Sequence, residues 1–409
     1  MSRGLGDVYK RQMFGELYSW YLRNTEYRSR VQKLVQSAFA GKPEDIISQS
    51  VAKALYGEVS PYSATRLERF AACAFAHFLQ YGMKLTERVE YEFKPMDMGN
   101  VMHEALESFA EEVRKRGMKW TELTEQERNE IADRCLDNIV ADYGNTVLKS
   151  SARNEYMIER TRRILRRTVW ALQKQLEQGE FQPEGFEVTF GGGRIDRVDI
   201  MEDQNKVYVK VIDYKTGNTS FDLVYLYHGL QLQLMIYLDG ALRVEQKKYP
   251  DKEIIPAGVF YYNIKDPMIQ EKIDADVEAV SAGLMKELKM NGLVQADPEL
   301  VYRMDSSLGS IPVAFNKDGS FRKNSSVADR TQFAVLGRYV RTKIEKIRSS
   351  ILEGDAEVSP YELGKKNACT YCPYMTVCGF DRRLSGYEFR RLKNFSDEEL
   401  WKAFDREAE

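Results

Sequence analysis

The spacing of apolar and polar positions divides the chain into helical, strand-like and again helical stretches. Over residues 13–57 apolar positions recur at helical spacing and end at LYGE. A polar break, GEVSPYSATRLERF, follows, and Ser63 or Thr65 is placed to cap the next helix. That helix runs through RLERFAACAFAHFLQYGM and carries Cys73 and His77. Helices are predicted over 97–117, with His103 on the first turns, over 123–145, and over the arginine-rich 152–180. The period then changes to two. EGFEVTF, GGGRIDRVDIM and KVYVKVIDYKTG alternate as strands do, with turns at Gly191–Gly193 and Glu202–Asn205. A helix over 226–244, a strand at AGVFYYNI and a helix over 270–292 come next. Residues 304–330 are loop-rich around NKDGS, and a long amphipathic helix spans about 329–353. A compact loop is expected over 367–380, and a last short helix starts near Ser396 with acidic residues in its first turn.

Composition narrows the class. The 409 residues leave room for two or three domains, and 43% hydrophobic with 30% charged content is that of an ordinary globular protein. Disorder, collagen and coiled coil are excluded as the dominant class. No run approaches the roughly 18 apolar residues of a membrane helix. With 60 Lys+Arg against 62 Asp+Glu, the net charge of -2 excludes a uniformly basic nucleic-acid binder. It leaves open a basic channel in a neutral protein, because binding follows the local field. MSRGLGDVYKRQ lacks the apolar core of a secretion signal, so a cytoplasmic location is expected. There isolated thiols stay reduced and clustered ones tend to bind metal. Met1–Gln12 also resembles read-through of sequencing-adaptor DNA, and a non-native leader is expected there.

The richest stretch chemically is GRIDRVDIMEDQNKVYVKVIDYKTG. Residues two apart on a strand share a face, so Asp213 and Lys215 point the same way, with Tyr214 opposite. Asp196, on the preceding strand of a hairpin, can approach Asp213. Two such carboxylates repel each other, and a divalent cation such as Mg²⁺ resolves the conflict. An adjacent lysine can orient water and stabilise charge developing on a phosphate. The competing reading is a structural ion pair at a strand end. His103, one of three histidines, is a candidate metal ligand or substrate contact, or else a packed residue. Gln233 and Tyr237, four apart, share a helix face and are placed to brace the lysine, touch phosphate, or simply pack. Glu187 is a further acidic contributor or a surface charge. In ERTRRILRRTVW, Arg160, Arg163 and Arg167 fall on one face with Arg162 and Arg166 alongside, facing DNA backbone or solvent.

Three of the five cysteines form a C-x2-C-x5-C array: Cys369, Cys372 and Cys378. Three thiolates lack a fourth ligand, which Cys73 can supply. Structural zinc usually draws on two local pairs, whereas three-plus-one suits an iron–sulfur cluster better. Both readings stand at this point. Cys135 fits a helix face as a small buried residue.

GRIDRVD, VIDYKTG and QLMIY, in that order after MGNVMHEAL, resemble the RecB-type branch of the PD-(D/E)XK nuclease superfamily. The resemblance implies an α/β fold, a mixed sheet flanked by helices. It implies His103, Asp196 and Asp213 as the Mg²⁺ site and Lys215 as the catalytic lysine. Gln233 and Tyr237 become the glutamine–tyrosine motif of the branch, and the reaction becomes Mg²⁺-dependent hydrolysis of DNA phosphodiesters.

The cysteine array, with RLERFAACAFAHF, LQLQLMIYLDGAL, IPVAFNKDGSFRKNSSVADRTQF and ACTYCPYMTVCGFD, is similar to the [4Fe–4S] nucleases of the AddB type over about residues 50–400. One departure is Ala74, where that family often has proline. The resemblance implies a cluster on Cys73, Cys369, Cys372 and Cys378 that clamps helical N- and C-terminal extensions. It implies an AddA-type helicase/nuclease subunit as heterodimer partner, with DNA ends and single-stranded DNA as substrates. The expected activity is a 5′→3′ exonuclease acting in double-strand-break processing for homologous recombination. No G-x-x-x-x-G-K-[ST] phosphate loop occurs in these residues. The expected division is a leader over 1–12, a helical lead-in over 13–60 left from an upstream helicase-like region, and a nuclease domain over 61–409. Two further readings are a catalytically silent DNA-binding or scaffolding subunit, against which Asp196, Asp213 and Lys215 argue, and a stand-alone cluster-containing nuclease.

Overall fold

Where the alternation has period two, the chain forms a six-stranded mixed sheet. The computed structural model describes residues 5–38, 46–57, 63–87, 95–142, 151–191, 193–269 and 276–408. Expectations for Met1–Gly4 of the leader, positions 39–45 of the lead-in, positions 58–62 of the polar break, positions 143–145, Gly192 and positions 270–275 lie outside the described residues. The strands are β1 (Gln182–Phe190), β2 (Gly193–Asp203), β3 (Lys206–Lys215), β4 (Glu253–Asn263), β5 (Asn291–Gln295) and β6 (Val327–Ala328), side by side in that order. β3 pairs parallel with β4 and β5 with β6; the other neighbours are antiparallel.

Fifteen α-helices form among the described residues. Before the sheet come α1 (Leu5–Arg23), α2 (Arg28–Ala38), α3 (Gln49–Tyr56), α4 (Ala64–Ala72), α5 (Ala74–His77), α6 (Pro95–Lys115), α7 (Glu125–Asp142) and α8 (Ala152–Glu177). Within and after it come α9 (Leu223–Tyr227), α10 (Gln233–Lys248), α11 (Val277–Glu287), α12 (Pro298–Met304), α13 (Arg330–Glu353), α14 (Met375–Cys378) and α15 (Asp397–Ala408). The central strands are apolar on both sides because both sides are covered. Ile212, Tyr214, Phe260 and Tyr262 pack under Met102, Leu106, Ile131, Leu136, Leu165 and Leu172 of α6–α8. On the other face Val207, Val209, Val211 and Val259 meet Leu67, Met235, Leu238, Leu336, Tyr339 and Phe404 from α4, α10, α13 and α15. The result is a helix–sheet–helix sandwich.

Four local expectations are corrected. Cys73 does not continue a helix: its backbone is extended (φ -166, ψ 117) and separates α4, capped by Ser63, from α5. The helix expected over 226–244 is two helices, because Gly229 takes a left-handed φ of +77 between α9 and α10. The end of the helix expected over 270–292 is the start of strand β5, whose NGLVQ run pairs with β4. A short apolar run of that kind satisfies either periodicity. His103 sits in the third turn of α6, beyond its first turns, since α6 already begins at Pro95. The cysteine-bearing tail also forms a small sheet from β7 (Tyr361–Leu363), β8 (Lys366–Asn367) and β9 (Arg390–Arg391), in the order β8-β7-β9.

Candidate active site

The hairpin of β2 and β3 pairs Arg197 with Ile212, and one further step sets Asp196 across from Asp213. Both carboxylates are buried, Asp213 with only 1% of its surface exposed. Asp196 Oδ2 accepts a hydrogen bond from the Tyr214 backbone N–H at 2.7 Å, which fixes it at the end of the hairpin pairing. Lys215, two residues along β3 from Asp213, places Nζ 2.6 Å from Asp213 Oδ2. Lys215 Nζ also donates to Gln233 Oε1 at 2.8 Å, and Gln233 Nε2 donates to the Tyr237 hydroxyl at 2.9 Å. The first turn of α10 therefore braces the lysine, one of the roles its spacing allows.

His103 enters from α6. Its Nδ1 lies 3.4 Å from Asp196 Oδ2 and 3.7 Å from Glu187 Oε1. Glu187 stands on β1 with φ +48, a left-handed conformation that few non-glycine residues adopt, and its Oε2 is 2.5 Å from Arg194 Nε. His103, Glu187 and Asp196 each offer a ligand atom, all within 4.8 Å of one another among the described residues. Asp213 adjoins this trio through Asp196. The sequence-predicted set of His103, Asp196, Asp213, Lys215, Gln233 and Tyr237 is thus gathered in one place, and Glu187 joins it.

The electrostatics of the site are dominated by its buried carboxylates. Burial, and then the charge of Asp196, push the Asp213 carboxyl up to about 7 against the pull of Lys215. Burial would lower His103, but hydrogen bonds and charge from Asp196 and Glu187 overcome it and raise it to about 10. Lys215 and Asp196 thus act on Asp213 in opposite senses, as burial and the neighbouring carboxylates do on His103. Carboxylate oxygens with an imidazole nitrogen suit a divalent cation, and such an ion fits this donor set.

Glu68 escapes sequence inspection. It lies on α4, and its Oε1 accepts the backbone N–H groups of Leu232 at 2.7 Å and Gln233 at 3.0 Å. Nothing in the local spacing of RLERF marks it.

Four of the arginines of α8 are engaged within the chain. Arg163 is 2.5 Å and Arg167 3.9 Å from Asp266, just beyond β4. Arg162 pairs with Asp137, and Arg166 with Asp133. Arg160 is exposed. Arg163 remains 63% exposed, and with Arg166, Arg167, Trp170, Lys174 and Lys289 it lines a large open groove.

Cys73, Cys369, Cys372 and Cys378 line one small cavity with Phe75, Tyr374 and Phe380, and all are free thiols. The Cys369 thiol is pushed up to about 12 by burial and by the nearby Cys73, Cys372 and Cys378 sulfurs. The four sulfurs share this lining, but among the described residues the one group of His, Cys, Asp or Glu whose ligand atoms converge closely enough to hold an ion is His103, Glu187 and Asp196. Cys135 is buried on α7, as expected.

A buried Asp–Asp pair with a lysine two residues on, at the end of a helix-flanked mixed sheet, defines a nuclease architecture, and the chain belongs to the PD-(D/E)XK nuclease superfamily, whose family profile matches residues 61–379. Curated relatives extend the likeness. The B subunit of the ATP-dependent helicase/deoxyribonuclease of Lachnoclostridium phytofermentans is 41% identical over 422 residues, covering 97% of this chain and 36% of that protein. The corresponding B subunits of Thermoanaerobacter sp. (strain X514) and Clostridium acetobutylicum are 34% and 33% identical, over 96% and 99% of this chain and 36% and 37% of those proteins. The chain spans about a third of the length of the curated relatives it matches. Among the described residues, no helix is long and apolar enough to cross a membrane.

Proposed function

We propose that the chain is a Mg²⁺-dependent deoxyribonuclease that hydrolyses DNA phosphodiesters as part of an AddB-type component of a helicase–nuclease. The observation that carries this reading is Lys215 Nζ held between Asp213 and Gln233, across the hairpin from Asp196. Asp196, Asp213 and His103 would hold the metal, with Glu187 beside them. Mg²⁺ bound there would supply Lewis acidity toward a phosphodiester oxygen. Lys215 then presents a fixed ammonium to the phosphate, where negative charge grows in the transition state. Gln233 and Tyr237 restrict that ammonium to one geometry. The names of the relatives support an ATP-dependent partner machine. By analogy the partner is an AddA-type helicase/nuclease subunit, and the action is a 5′→3′ exonuclease on DNA ends and single strands during recombinational repair. The test is incubation of 5′-labelled single-stranded DNA with the chain in Mg²⁺ or EDTA. Short labelled products in Mg²⁺ alone support the reading, and binding without cleavage in both indicates a silent subunit.

The same reading assigns Cys73, Cys369, Cys372 and Cys378 to a [4Fe–4S] cluster. Cys73 precedes the sheet and the other three follow it, so a cluster would tie distant segments and limit the unfolded chain. Cys378→Ala is expected to remove the visible iron–sulfur absorbance and to lower Tm by several degrees. An iron-free variant with wild-type Tm contradicts the staple.

Arg160, Arg163 and Arg167 are assigned to DNA backbone contact, supported by the groove that Arg163 and Arg167 line. Reversing charge at Arg163 and Arg167 is expected to weaken single-strand binding. At about 0.7 per phosphate contact, the salt slope should fall by roughly 1.4. Unchanged affinity and slope rule the contact out.

A further inference from the structure

We infer that Glu68 is a positioning residue for the catalytic lysine, acting through the first turn of α10; this rests on the nuclease reading above. The leading N–H groups of a helix have no partner within it. The N-cap of α10 is Leu232, which supplies no side-chain cap. Glu68, 164 positions earlier in the chain, supplies the acceptor: one carboxylate oxygen takes the N–H groups of both Leu232 and Gln233. Burial pushes the Glu68 carboxyl up to about 7, and the N–H groups of Gln233 and Leu232, with the helix dipole behind them, pull against that. Gln233 is the first residue of α10, so Glu68 fixes the backbone from which its side chain reaches Lys215 at 2.8 Å. The connection runs from Glu68 to the Gln233 backbone, through its amide to Lys215 Nζ, and on to Asp213. Lys215 keeps its pairing with Asp213 if Glu68 is lost, but the second point that fixes Nζ is released. An ammonium held by one contact samples positions off the phosphate, and displacement of about 1 Å costs on the order of 100-fold in rate.

The test compares steady-state cleavage of single-stranded DNA in Mg²⁺ by the wild type and variants. Glu68→Ala is expected to lower kcat about 100-fold while KM changes less than about twofold, since the loss lies in the transition state. Glu68→Gln keeps an acceptor oxygen for the same N–H groups and is expected to restore most of kcat. In a double-mutant cycle, Glu68→Ala combined with Gln233→Ala should be no slower than Gln233→Ala alone, because both act on one connection. A merely structural carboxylate would give independent losses in the cycle. Should the alanine variant fail to fold, Glu68→Asp draws the carboxylate back by one methylene and is expected to lose kcat with Tm near wild type. Wild-type kcat in Glu68→Ala or Glu68→Asp, or additive losses in the cycle, overturns the inference alone. A wild-type chain that does not cleave in Mg²⁺ overturns it together with the nuclease reading.

Discussion

Replacing Lys215 with alanine is expected to slow Mg²⁺-dependent cleavage of single-stranded DNA by about 10²–10³-fold, the loss typical of one preorganised donor to developing charge. The side chain is partly exposed at the end of β3, so the fold does not depend on it. Its ammonium pairs with Asp213, donates to Gln233 and lies over the Tyr261 ring. DNA affinity should stay close to wild type, because a single exposed cation adds little to a backbone footprint. The change should fall on kcat, which separates a reacting group from a binding one. Single-turnover cleavage at saturating enzyme measures it, and an unchanged rate removes Lys215 from the mechanism.

The largest expected effect on stability lies elsewhere in the same hairpin. Asp199 is fully buried and takes Arg197 Nε at 2.5 Å, the second Arg197 nitrogen at 2.9 Å and Lys210 Nζ at 3.0 Å. Arg197 also lies against the rings of Trp120 and Phe186, and Lys210 against Phe181. Asp199→Asn leaves two buried cations without their anion and is expected to cost about 3–5 kcal/mol in urea unfolding. The pH dependence has a definite sign. Burial raises the Asp199 carboxyl, and the charges of Arg197 and Lys210 more than offset that, holding it below the ordinary range. Its stabilisation is therefore present above the unfolded carboxylate value near 4 and is lost as pH falls through the lower folded value. The variant should be less stable at neutral pH and show a shallower loss in acid. A variant within about 1 kcal/mol of wild type at pH 7 would show that the triad is not a stabilising unit.

These two groups show which parts of the site are legible in the sequence. Alternation along KVYVKVIDYK sets Asp213 and Lys215 on one side of β3, since the strand pleat allows no other outcome. The hairpin turn then brings Asp196 to Asp213, and helical spacing brings Gln233 to Tyr237. Period also tells that Arg197 and Asp199 share a face. It does not tell that Lys210 and three aromatic rings from other elements close over them. Glu187 reads equally as ligand and surface charge, because its place depends on a positive φ that the pattern does not encode. Glu68 is invisible for a related reason: its partners lie far along the chain, and only the packing of α4 against α10 brings them together. In the fold, Gly229 splits a helix whose apolar spacing is continuous, and NGLVQ is too short for its period to decide. The helical spacing of the α8 arginines is plain in ERTRRILRRTVW, but their pairing with Asp133, Asp137 and Asp266 depends on neighbours that the sequence does not place.

The central claim is that hydrolysis takes place at the Asp196–Asp213–Lys215 edge with a divalent metal. Digestion of single-stranded DNA by the wild type, Asp213→Asn and Lys215→Ala, each in Mg²⁺ and in EDTA, tests it most directly. The account predicts cleavage by the wild type in Mg²⁺ alone and near-complete loss in both variants. Equal cleavage by all three, or wild-type cleavage undiminished in EDTA, would contradict it.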